Sequence, residues 1–451
     1  MRPLHPIHAT VAALSLLAAA WAGLPTLRFV GASALPAADA ADDGGWQKFK
    51  GKPEPIGPAP TFATPGMFLP PTPRLVAFPA GGLPVDLPLD ATLPTGKPVR
   101  AAILPNRMLW IDVNGDGKPD LGERFPPTRT GYGPVTIPLK YKNGSEAPYS
   151  FHLVETTTAG TYKLVTGQMI RYSISWNHRQ LTLLLLDQNN NGRYDDADAD
   201  VVMEDQRPGC FLAKTITVGM DAGSVAEIVV YPDGTTIEMR PYAGPTGILD
   251  PVSQYTPAQS GVTLQYLAMD GKLSRPGFSA AFPRARVPVD SYAFRSAALQ
   301  RGTESVHVER GALAEVAVQA NQTATLAWGG TVELKYGFRR DGENLVFDAF
   351  QFVGKDHQEI YLPQPPFTLN TAYRAEELVP AGYGSFYGAT QNVLLGAGTL
   401  DRDADGKYLP LKIPHHDHPM VLLLHIDYPS GVMGPVNVSD KLQFTPQDKK
   451  P

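Results

Sequence analysis

Asp112-Val113-Asn114-Gly115-Asp116-Gly117-Lys118-Pro119-Asp120-Leu121-Gly122-Glu123 is the stretch on which the reading of this chain turns. Asp112, Asn114 and Asp116 offer side-chain oxygens at every second position. Gly117 stands at position six, where the chain must turn sharply. Lys118 fills position seven, which needs only a backbone carbonyl. Asp120 takes position nine, commonly a water-mediated contact, and Glu123 at position twelve supplies two oxygens at once. This is the full ligand set of a twelve-residue calcium loop, and Ca2+, a hard cation taking six to eight oxygens, is the expected ligand. Without a cation the four carboxylates would repel one another.

A second copy runs DQNNNGRYDDAD from Asp187 to Asp198. Asp187, Asn189 and Asn191 take the first three ligand positions, Gly192 the turn, Arg193 the carbonyl, Asp195 position nine and Asp198 position twelve. It has fewer carboxylates than the first copy and ends on the shorter Asp, so weaker binding is expected. A third start, DRDADGKY, places Asp401, Asp403 and Asp405 in register. Its positions nine and twelve are Leu409 and Lys412, which favours an ordinary acidic turn.

The loops resemble those of EF-hand, dockerin and thrombospondin type 3 proteins over about a dozen residues each. The resemblance implies calcium binding at the positions named above. It does not extend to flanking helices. Met108-Leu109-Trp110-Ile111 precedes the first loop and Phe125-Pro126-Pro127 follows it, which no helix continues. Leu181 to Leu186, before the second loop, reads as a buried strand. The expected loops are therefore strand-borne EF-hand-type calcium loops that hold structure, with no helix pair to open and close.

Composition agrees with a strand-rich chain. The sequence has 451 residues, 43 glycines, 44 prolines and 18% charged residues. Such usage favours many strands and turns. A net charge of −5 with no basic stripe argues against a nucleic-acid partner. Arg2 and His5 precede an apolar run from Ala9 to Leu24, followed by small-residue patterns such as Ala38-Asp39-Ala40. Residues 1–40 therefore read as a signal peptide region, with no transmembrane segment after cleavage. The expected location is secreted, periplasmic or at the cell surface. Cys210 is the single cysteine, so no intramolecular disulfide forms, and a buried structural thiol is expected.

Residues 41–98 read as a proline-rich linker, the alternative being a segment that runs along the surface of the next domain. Residues 99–251 read as a β domain with both strong loops. Residues 252–446 read as one or more β-sandwich domains, and 447–451 as a tail. Hairpins are expected at Pro232-Asp233-Gly234 and at Arg340-Asp341-Gly342-Glu343, with further strands over Val262–Leu267 and Met420–Ile426. The fold class expected is mostly β, with immunoglobulin-like sandwiches, although no Cys-Trp-Cys signature secures that topology.

His415-His416-Asp417-His418 could gather a transition metal. On a strand His416 and His418 share a face, and they form the candidate pair; the alternative is a polar loop between two prolines. No nucleophile elbow, HExxH or phosphate loop occurs. The function expected is an exported, calcium-binding, non-catalytic protein with a structural, adhesion or ligand-binding role toward an unknown surface or matrix partner. The competing expectation is a secreted, calcium-stabilised hydrolase acting on polysaccharide or peptide, which a cleft lined by two carboxylates outside the loops would favour.

Overall fold

The computed structural model describes residues 45–57, 74–197, 199–205, 207–219, 223–341, 344–357, 359–363, 370–380, 387–399, 409–414, 420–428 and 431–444. They form a mostly β structure, and Leu121–Glu123, a 3-10 turn, is the only helical element among them. No helix among the described residues is long and apolar enough to cross a membrane. Residues 1–40, expected to be a signal peptide region, and the expected tail at 447–451 lie outside the described residues.

The first seventeen strands belong to one core. They begin with β1 (Gln47–Pro55), β2 (Arg74–Ala77), β3 (Val85–Asp86), β4 (Arg100–Ile103), β5 (Leu109–Ile111) and β6 (Arg124–Phe125). β7 (Pro127–Thr128), β8 (Gly131–Lys140), β9 (Glu146–Glu155), β10 (Thr161–Thr166), β11 (Gln168–Trp176) and β12 (Arg179–Leu186) follow. β13 (Val201–Glu204), β14 (Cys210–Phe211), β15 (Thr215–Val218), β16 (Ser224–Val230) and β17 (Thr236–Pro241) complete the set. An eight-stranded sheet has the order β14-β13-β12-β11-β1-β17-β16-β15, a five-stranded sheet β2-β10-β9-β8-β7, and a four-stranded sheet β3-β4-β5-β6.

Period-two burial explains why these segments are strands. In β8, Val135, Ile137 and Leu139 are buried while Thr136 and Pro138 face out. In β11, Ile170, Tyr172, Ile174 and Trp176 turn inward. The three sheets contribute these residues, with Phe49, Tyr149, Phe151, Leu109 and Ile111, to a single hydrophobic cluster running from Phe49 to Met239. β12 breaks the alternation, because Leu183 to Leu186 are all buried. Leu183 and Leu185 face that cluster, whereas Leu184 joins Val201, Met203, Phe211, Tyr266 and Ala268 in a second, small one. A strand covered on both faces reads as a continuous apolar run.

A second core, from Leu249 to Val436, is built on a nine-stranded sheet that includes the hairpin strands Val332–Asp341 and Asn344–Gly354. Trp328 is its anchor: it is fully buried, donates Nε1–H to Pro251 O at 2.8 Å, and packs on Tyr255 with ring centroids 4.3 Å apart. The strand at Met420–Tyr428 is interior to a four-stranded sheet, between Asn370–Pro380 and Val436–Phe444.

The described parts of the stretch 41–98, residues 45–57 and 74–98, depart from the linker expectation. β1 joins the two halves of the eight-stranded sheet: Gln47 to Lys50 pair with β17, and Gly51 to Pro55 pair with β11. Two prolines fit because of where their missing N–H groups would point. Gly51 N donates to Thr235 O at 2.9 Å, away from β11, and by alternation Pro53 and Pro55 face the same way. There the sheet asks nothing of them. The even-numbered residues keep the ladder, and Ile56 N continues it to Gly167 O at 2.9 Å. β2 likewise pairs with β10, and Phe49, Val76, Phe78, Leu87 and Leu93 enter the first core.

Deleting residues 1–57 should therefore abolish cooperative unfolding of the first core or lower its melting temperature sharply. An unchanged melting curve for the truncated chain would restore the linker reading.

Candidate cation sites

The first loop leaves β5 and returns through the 3-10 turn to β6, and these two strands pair directly, Leu109 with Phe125 and Trp110 with Arg124. The pairing brings both ends of the loop together. Gly117 has φ +77°, the left-handed conformation that glycine adopts without strain, and a Cβ there would meet nothing. The tight turn is thus a backbone requirement.

Three hydrogen bonds shape the loop interior. Gly117 N donates to Asp112 Oδ2 at 3.1 Å, Asp116 N to Asn114 Oδ1 at 2.8 Å, and Lys118 N to Asp116 Oδ1 at 2.8 Å. Glu123 folds back over the start of the loop, its Oε1 accepting from Asn114 N at 3.0 Å and its Oε2 from Trp110 Nε1 at 3.0 Å. Asn114 Nδ2 reaches Asp120 Oδ2 at 3.3 Å. Asn114, Asp116, Asp120 and Glu123 therefore share one bonded network, and Asp112 is tied to the turn at Gly117. Asp112 is 3% exposed, and its Oδ1 is buried without a hydrogen-bond partner among the described residues. A buried carboxylate oxygen in that state is costly unless something positive meets it.

The second loop repeats the pattern position for position. Gly192 N donates to Asp187 Oδ2 at 2.8 Å, Asn191 N to Asn189 Oδ1 at 3.1 Å, and Arg193 N to Asn191 Oδ1 at 2.8 Å. Gly192 has φ +84°. Asp187 and Asp200 are both 0% exposed. Asp187 accepts from the Tyr149 hydroxyl at 2.7 Å, which ties the loop to β9 across the core. Asn190 Oδ1 accepts from Thr166 N at the end of β10 at 2.6 Å.

Position nine differs from expectation. Asp195 pairs with Arg193, accepting from Nε at 2.9 Å and Nη2 at 2.8 Å, so its carboxylate is neutralised by a neighbouring side chain. Asp196, one residue on, faces the loop instead: its Oδ2 accepts from Asn189 Nδ2 at 3.1 Å and from Asn191 Nδ2. Asp200 accepts from Gln188 N at 3.2 Å and Asp196 N at 2.8 Å, and Asp90 Oδ2 accepts from Asn191 Nδ2 at 2.8 Å. The loop spacing does not include Asp90, Asp196 or Asp200. The density of Asp after Arg193 was the available signal for two of them, and nothing local marks Asp90. Asp198, the expected twelfth-position ligand, lies outside the described residues. So do Asp401, Asp403, Asp405, His416 and His418.

Burial dominates the electrostatics of the second loop. It raises the Asp187 carboxyl to about 7, against the lowering pull of the Tyr149 hydroxyl and the backbone N–H groups of Gly192, Asn191 and Asn190. Asp200 is raised by burial and then by the charge of Asp187. Among the described residues no three His, Cys, Asp or Glu side chains gather closely enough to form a metal site by themselves. Any cation here would draw on asparagine and backbone oxygens as well, which suits a hard ion. Cys210 is no ligand or nucleophile in this setting: burial pushes its thiol up to about 12, and Sγ donates to Val202 O at 3.2 Å.

Away from the loops, an open cavity of about 330 Å³ lies between the β11–β12 and β15–β16 turns, lined by Trp176, Asn177, Arg179, Leu181, Val218 and Ser224 among others. None of the described residues that line it is acidic.

No protein-family model matches the chain, and no curated protein matches it. Among solved structures there is a similarity to native alpha-2-macroglobulin from Escherichia coli, spanning domains MG0-NIE-MG1. That match is 10% identical and covers 80% of this chain and 97% of that one at a TM-score of 0.12. A superposition that loose carries no argument about fold or function.

The Asp187 environment gives a sign for pH dependence in metal-stripped protein. Folding raises this carboxyl from its ordinary range to about 7, so between about 4 and about 7 the folded state holds a proton that the unfolded state has lost. Stability then falls as pH rises through that window. Melting temperatures measured without metal at pH 5 and pH 8 should show this fall, and Asp187→Asn should flatten it. An identical slope in the variant would mean that Asp187 is not the group responsible.

Proposed function

We propose that this chain is an exported, non-catalytic, calcium-binding β protein that works outside the cytoplasm in a structural or ligand-binding role. One observation carries the calcium reading. Two loops that differ in sequence adopt the same three hydrogen bonds from backbone N–H to Asp or Asn oxygen, and in one of them a buried carboxylate oxygen, Asp112 Oδ1, has no hydrogen-bond partner among the described residues. The first site would draw on Asp112, Asn114, Asp116, the Lys118 carbonyl, Asp120 through water, and Glu123. The second would draw on Asp187, Asn189, Asn191, the Arg193 carbonyl and Asp198.

The described fold supports a structural task for both ions. The first loop closes the small β3–β6 sheet, and the second joins β12 to β9 and β10. Neither loop is flanked by helices that could open. We infer further that the sheets around each core are arranged as immunoglobulin-like sandwiches. The leader-like N-terminus supports export, and because the single cysteine leaves no intramolecular disulfide, oxygen-ligated ions can take over the cross-linking role.

The expected effect is thermodynamic. Extracellular calcium modules bind at roughly 10⁻⁴–10⁻³ M. At about 100 times Kd each site adds about 2.7 kcal/mol, or roughly 5–10 °C in melting temperature for a domain of this size. Calorimetry with about 10–100 mM calcium, some 100 times that Kd, and with a chelator should show that shift for the first core and little for the second. Asp112→Ala should remove much of it. Glu123→Gln keeps shape but loses charge, so it should require more calcium for the same stability. A melting curve indifferent to calcium in wild type and unchanged in Asp112→Ala would reduce both loops to acidic turns.

A further inference from the structure

We propose that the two calcium sites are energetically coupled through residues 88–97, with Asp90 serving as an additional ligand of the second site. The proposal rests on the calcium reading of both loops. Its physical basis is one short piece of chain fastened to both of them. At one end, Asp90 N donates to Asn191 O at 2.7 Å, and Asp90 Oδ2 accepts from Asn191 Nδ2 at 2.8 Å. At the other end, Lys97 Nζ donates to Gly115 O, and Thr95 Oγ1 lies against the same glycine. Gly115 sits between Asn114 and Asp116, two expected ligands of the first site.

The piece between these anchors is stiff. Leu93 N donates to Lys97 O at 2.8 Å and Gly96 N to Leu93 O at 2.8 Å, forming a closed turn. Thr92 and Lys140 exchange both backbone bonds, at 3.1 and 2.7 Å, and Leu93 is fully buried. A displacement at Asp90 therefore reaches Gly115 through hydrogen-bonded chain.

The chemistry at the Asp90 end supplies a reason for such a displacement. One amide group, Asn191 Nδ2, donates to two carboxylates, Asp90 and Asp196. Arg74 Nη2 holds Asp90 from the other side at 3.3 Å, and Arg74 Nη1 donates to Pro88 O at 2.7 Å. A divalent cation neutralises converging carboxylates more effectively than an amide does. Calcium at the second site draws in Asp90 and shifts the stiff strap as one piece, which resets Gly115 and the oxygens on either side of it. Placing the strap for one site also places it for the other, so filling one favours filling the other.

Calcium titration calorimetry on the full chain tests this. Asp187→Asn disables the second site and Glu123→Gln the first. Coupling is reciprocal, so each variant should lower the affinity of the remaining site by the same factor, about fivefold or more. Lys97→Met should leave both sites able to bind and make the two knock-outs independent of each other. Asp90→Asn should weaken the second site about tenfold, and it carries the same arm if Asp187→Asn does not fold. Two sites that bind calcium while each ignores loss of the other would overturn the coupling and leave the calcium reading intact. A wild-type chain that binds no calcium would overturn both.

Discussion

The carboxylate of Asp187 is the constraint around which the first core is arranged. It is fully removed from solvent, and the named groups that meet it are a tyrosine hydroxyl and backbone N–H groups, none of them positively charged. Asp200 shares that burial nearby. Burying two such groups costs several kcal/mol unless charge of opposite sign compensates. Everything that approaches the loop does so on those terms: Tyr149 from β9, Thr166 from the end of β10, Asp90 from the proline-rich stretch. Three segments far apart in sequence thus converge on one polar point inside an otherwise apolar core. A polar network that is fully satisfied rigidifies its surroundings, whereas one lacking a member is a source of instability.

The two loops meet this demand differently. The first is a hairpin connection, partly open to water, in which Trp110 and the loop's own backbone position Glu123. The second is interior, and much of its carboxylate lies outside the motif, at Asp90, Asp196 and Asp200. Ranked by carboxylates at motif positions, the first loop is the richer. Among the described residues the folded chain evens the count, because Asp90, Asp196 and Asp200 join Asp187 at the second loop while Arg193 takes Asp195 away.

The sequence spelled out features whose cause is local. The glycine at position six, the alternating oxygens and the absence of flanking helices follow from residues within a few positions of one another. The hairpins at Asp233-Gly234 and Arg340 to Glu343 are legible for the same reason. The burial of Leu181 to Leu186 is legible as a strand, but its sharing between two clusters depends on Tyr266 and Ala268, which no pattern within the strand announces. Two features were hidden by distance. Asp90 reaches its partner Asn191 across 101 positions. The strand Gln47–Pro55 was masked by its prolines, whose tolerance depends on which edge of the strand lacks a partner, a property of the assembled sheet.

That same strand sets the order in which the protein can be made. Lys50 meets Thr236 across 186 positions, and Glu54 meets Arg171 across 117. A chain made N-terminus first holds Gln47–Pro55 unpaired long before either neighbour is synthesised. Closing such long loops is slow, and a waiting strand is an invitation to the wrong partner. Pro53 and Pro55 carry no N–H to offer on one edge during that wait, so residues that look like interruptions in the finished sheet also make that edge a poorer template for mispairing.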